Sequence, residues 1–72
     1  MVAFELWYLQ TPSLVHTFES EGAALGFVRD VVVFAGRDAA TQFQLFRIDS
    51  RRISVIAEGK SLMRRALEDR VL

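Results

Sequence analysis

Between Ser20 and Gly36 the apolar positions recur at helical spacing. Leu25, Val28, Val32 and Ala35, joined by Ala24, make one stripe at about 100° per residue, which predicts an amphipathic helix rather than a strand. Ser20 is placed as its N-cap, with a hydroxyl able to accept a first-turn amide. Glu21 adds negative charge where the helix dipole is positive. Gly36 marks the end, because glycine enters left-handed backbone without strain. Phe27, Val31 and Phe34 form a second stripe at i, i+4 and i+7. With Ala23, the two stripes span an arc of roughly 200°, about twice what a helix needs to lie on one sheet. A single sheet in a short chain covers part of that arc, so a second element or a second molecule must cover the rest.

The flanking segments alternate at period two. Phe4, Leu6 and Tyr8 fall on one face of a strand, and Glu5, Trp7 and Leu9 on the other. Gln10-Thr11-Pro12-Ser13 is a turn, and Leu14 to Phe18 resumes the extended pattern, which makes a hairpin. Both faces of the first strand carry large apolar groups, so Trp7 and Leu9 are expected to touch something besides the helix. After Gly36, residues 37–41 read either as a further helical turn or as a loop. Phe43, Leu45 and Arg47 then alternate with Gln44, Phe46 and Ile48, and Asp49-Ser50-Arg51 reads as a tight turn. Ile53, Val55 and Ala57 alternate with Ser54 and Ile56, giving a second hairpin. Ser61 is the expected cap of a last helix with Leu62, Met63, Ala66, Leu67 and Val71 as its apolar set. The order ββαββα predicts one α+β domain over residues 1–72: a four-stranded antiparallel sheet against a central helix, plus a short C-terminal helix.

Size sharpens the question of the uncovered arc. Seventy-two residues have room for one core. A chain this small buries only about 60% of its unfolded surface and usually needs reinforcement by disulfides, metal or association. There is no Cys, and His16 is the only His, so neither a disulfide nor a cysteine or histidine metal site is expected. No cofactor is expected either. Association remains. The N-terminus meets Glu5 early and has no basic segment, unlike a signal peptide. No apolar run approaches the ~18 residues of a membrane span. The expected setting is therefore cytoplasmic, with no membrane partner.

Formal net charge is zero but unevenly spread: −3 over residues 1–36 and +3 over residues 37–72. Such asymmetry points to nucleic acid or to head-to-tail association. Arg47, Arg51 and Arg52, with Lys60, Arg64 and Arg65, are the nucleic-acid candidates. Asp49, Glu58, Glu68 and Asp69 interleave with them, as on a mixed solvated face. Gly59-Lys60-Ser61 between a strand and a helix has the outline of a phosphate loop, but the glycine needed five residues before Gly59 is Ser54, and Val55 and Ile56 are strand formers. His16 lies in a strand with no nucleophile or carboxylate at a telling spacing, so no catalytic residue is assigned and the chain reads as a non-enzyme. The partner-binding candidates are Trp7, Leu9, Phe27, Val31 and Phe34.

The pattern resembles a group of short bacterial proteins of unknown function. The shared features are an aromatic-rich strand (Phe4-Glu5-Leu6-Trp7-Tyr8), a second strand from Leu14 to Phe18, and an acidic, alanine-rich helix start at Ser20 to Leu25. Val28-Arg29-Asp30, Gly36, the Leu45, Arg47, Asp49 series and Ile56, Ala57, Gly59 complete it. Gly22 and Pro12 depart from the group's usual glutamate and glycine-containing turn. The resemblance implies the ββαββα fold and no particular activity. The reading is a non-catalytic module that binds protein, chiefly itself, as a homodimer or larger assembly. The alternative is a small nucleic-acid-associated regulator.

Overall fold

A computed structural model describes residues 1–69 of the chain. The elements are β1 (Val2–Tyr8), β2 (Leu14–Phe18), α1 (Glu21–Ala35), α2 (Arg37–Ala40), β3 (Phe43–Asp49), β4 (Arg52–Glu58) and α3 (Gly59–Glu68). The fold is α+β, with one antiparallel sheet in the order β2-β1-β3-β4. The ambiguous segment after Gly36 resolves as the short helix α2.

Both ends of α1 are fixed as their residues dictate. The amide of Ala23 donates to Ser20 Oγ at 3.1 Å. Gly36, at φ 92° and ψ 168°, returns its own amide to the carbonyl of Val32, in backbone that only glycine occupies without strain. α3 begins three residues earlier than its hydroxyl suggested. Gly59 at φ 58° turns the chain directly from β4 into the helix, so Glu58 holds the cap position and Ser61 falls within the first turn. Leu62 and Ala66 of α3 are buried, whereas Val71 lies outside the described residues.

Register decides which side chains see the helices. Leu6 pairs with Leu45, Tyr8 with Phe43 and Phe4 with Phe18, and paired residues share a face. Phe4, Leu6, Phe43 and Leu45 meet Ala24, Leu25 and Val28 of α1, Ala40 of α2, and Leu62 and Ala66 of α3 in a single core. Two irregularities break the alternation: Leu6 pairs with His16 but Trp7 with Leu14, so Val15 is an extra residue in β2. Leu45 pairs with Ala57 but Phe46 pairs with Val55, so Ile56 is an extra residue in β4. Ala57 therefore joins the helix side, while Val55 and Ile53 remain on the other.

The helix layer is locked at its edge. Arg29 of α1 donates through Nη1 to the carbonyls of Ala66 and Asp69 at 3.1 and 2.8 Å, satisfying groups that the end of α3 leaves open. Arg65 meets Glu21 at 2.8 Å. With helices on one side only, the molecule is a plate of 34 × 34 × 17 Å.

Candidate functional site

Among the described residues, nothing covers the side of the sheet opposite the helices, which is largely apolar. Trp7 of β1, Phe46 and Ile48 of β3, and Ile53 and Val55 of β4 share it through the pairs Phe46–Val55 and Ile48–Ile53. Ile53 and Val55 are 71% and 54% exposed, and the other three are half-buried by their neighbours alone. Leu9 and Pro12, from the β1–β2 turn, wall a shallow groove of about 310 Å³ beside Trp7, Phe46, Ile48 and Ile53. The amide of Leu9 donates to the carbonyl of Gln42 at 2.9 Å, which anchors that wall.

Two polar pairs lie on this face, with Thr17 opposite Glu5 at its β2 side. Trp7 Nε1 donates to Glu5 Oε1 at 3.1 Å, and Gln44 Nε2 to Glu58 Oε2 at 2.7 Å. A surface of this kind offers shape and apolar area rather than reacting groups: aromatic and β-branched side chains with their polar tips already engaged, suited to a protein partner.

Of the five partner-binding candidates, Trp7 and Leu9 stand together on this face. Phe27 and Val31 pack from the opposite side against the core. The Phe27 ring lies 5.7 Å from Phe18 and 6.3 Å from Phe43. Phe34 is 85% exposed on the last turn of α1, next to Val33 at 78%. Ala35, placed by periodicity on the core stripe, is exposed as well. Phe46, Ile48, Ile53 and Val55 were not singled out from the sequence. The alternation that put Phe46 and Ile48 on one face was visible, but only the register joins that face to Trp7.

The basic candidates form two groups. Arg47, Arg51 and Arg52 surround the β3–β4 turn, where Arg47 meets Asp49 at 3.5 Å. Lys60, Arg64 and Arg65 lie on α3, which starts at the far end of β4, roughly 20 Å away by strand rise. Arg65 is held by Glu21. Ser54 to Glu58 is strand and Gly59 opens α3 directly, which leaves no loop to wrap a phosphate. His16 is exposed, its ring edge-on to Phe18 at 4.8 Å. Among the described residues no helix is long and apolar enough to cross a membrane. No family model matches the chain, and neither the curated proteins nor the solved structures contain a match to it.

Proposed function

We propose that the chain is a non-catalytic interaction module that associates with further copies of itself by covering the open face of its sheet. One observation carries this reading: Trp7, Phe46, Ile48, Ile53 and Val55 form a contiguous apolar surface on the side that bears no helix. An exposed apolar patch of a few hundred Å² is often functional, which makes this face a candidate contact site. The small core gives association a second role, as the reinforcement that a chain of this size ordinarily requires.

The contact is sheet against sheet, two inner faces about 10 Å apart as in a sandwich. Four strands of up to seven residues present a footprint of roughly 450 Å². That is about half of the ~800 Å² per partner of a standard interface. Face-to-face pairing alone is therefore a modest contact. The arginines favour nucleic acid less, because they fall in two groups and two of them are already paired with carboxylates.

The test is molar mass by light scattering over a wide dilution range, on wild type and on Phe46→Glu, with far-ultraviolet dichroism to confirm folding. Wild type should exceed its 8.2 kDa chain mass, and the variant should lose subunits while keeping its fold. A wild type that stays at one chain mass throughout overturns the reading.

A further inference from the structure

We infer a second, separate contact between copies: the outer edge of β4 pairs antiparallel with the same edge of another molecule, joining two sheets into one of eight strands. This rests on the self-association reading and names the surface that extends it.

Among the described residues two strands have a free edge, β2 and β4. Soluble proteins blunt such edges with lysine, proline, bulges or very short strands, because an unpaired row of amides and carbonyls templates further pairing. β2 has five residues and an irregular register. β4 has seven, and its first four, Arg52, Ile53, Ser54 and Val55, are all exposed. They contain neither lysine nor proline, Arg52 is their one charge, and the bulge lies beyond them at Ile56. Ile53 and Val55 are strong strand formers.

Charge selects the occupant. β4 follows Arg51 and opens with Arg52, and it closes with Glu58. Antiparallel pairing of two copies about a two-fold axis near Ser54 brings Arg51 of each strand towards Glu58 of the other, while Arg52, paired with Asp49, stands on the helix side. It also sets Ile53 of one copy beside Val55 of the other on the open face, a favourable cross-strand pair. Such a contact is isologous and closes on itself. It doubles the sheet footprint to roughly 900 Å², on the order of a standard interface when two joined sheets meet face to face. The expected assembly is a tetramer with two kinds of two-fold contact.

Charge reversal tests this directly. Arg51→Glu with Arg52→Glu in one variant, and Glu58→Arg in another, each set like charges at both ends of the seam, and each should weaken edge pairing about tenfold or more. Light scattering should then show face-paired dimers where wild type shows tetramers. Phe46→Glu should show edge-paired dimers, and the combined variants monomers. Mixing the two charge-reversed proteins should restore the tetramer. Charge-reversed variants with the wild-type mass at every dilution would overturn the edge contact and leave the face contact standing. A Phe46→Glu protein with the wild-type mass would remove the face contact instead.

Discussion

The indole nitrogen of Trp7 donates to the carboxylate of Glu5, two residues back along β1, at 3.1 Å. The bond satisfies the only polar atom of the largest side chain on the open face, so a partner can cover Trp7 without burying an unpaired donor. It also places a carboxylate inside an apolar surface. A covering copy must desolvate that charge, which costs more than a neutral acceptor would. Glu5→Gln keeps an acceptor for the indole and removes the charge, so it should tighten association several-fold. Glu5→Ala, which leaves the donor unpaired, should not. Dissociation constants from dilution series would separate the two, and equal constants for both variants would mean that Glu5 stays in solvent in the assembly.

Phe27 and Phe34 lie two turns apart on one stripe of α1 but have different surroundings. Phe27 is held between Phe18 and Phe43, whereas Phe34 is exposed. Phe27→Ala should destabilise the fold by about 2–3 kcal/mol, towards the low end for a large core truncation because the ring is only half-buried. Phe34→Ala should change stability by less than about 0.5 kcal/mol. Urea denaturation of both variants would decide it; a similar loss in each would mean that Phe34 is covered in the assembled protein.

Gly22 of α1 and the helix's C-cap Gly36 should respond in opposite directions. Gly36 occupies backbone at φ 92° that a side chain strains, so Gly36→Ala should cost about 1–3 kcal/mol. Gly22 sits in the first turn, and no atom lies within 4 Å of the place an added methyl group would take, so Gly22→Ala should stabilise by about 0.5–1 kcal/mol. Thermal melting checks both. A neutral or destabilising Gly22→Ala would show that another copy approaches that turn closely.

Much of the fold was legible because local chemistry and global packing agree. Ser20 and Gly36 bound α1 where a cap and a terminating glycine are expected, and the two hairpins follow from alternation and turn residues. The start of α3 was missed because a positive-φ glycine, not a hydroxyl cap, makes the turn out of β4. The extra residue at Ile56 was illegible for a different reason: a bulge is defined by the partner strand, and nothing in Ile53 to Ala57 marks it. The open face was half legible. Trp7 and Leu9 stood out as surplus apolar residues on β1, but linking them to Phe46, Ile48, Ile53 and Val55 requires the β1–β3–β4 register. Part of the breadth of α1 is taken up within the chain. Phe18 and Phe43 absorb Phe27, so most of the second stripe is satisfied within the chain and the larger uncovered surface lies on the sheet.

Trp7 is the only tryptophan and stands on the open face, so its accessibility to a neutral quencher such as acrylamide reports the central claim directly. Quenching should be compared in wild type and Phe46→Glu across dilution, with molar mass recorded on the same samples. Covering of the face requires Trp7 to be shielded in concentrated wild type and to become accessible as the mass falls, with Phe46→Glu accessible throughout. Equal accessibility in both proteins at every concentration would contradict it.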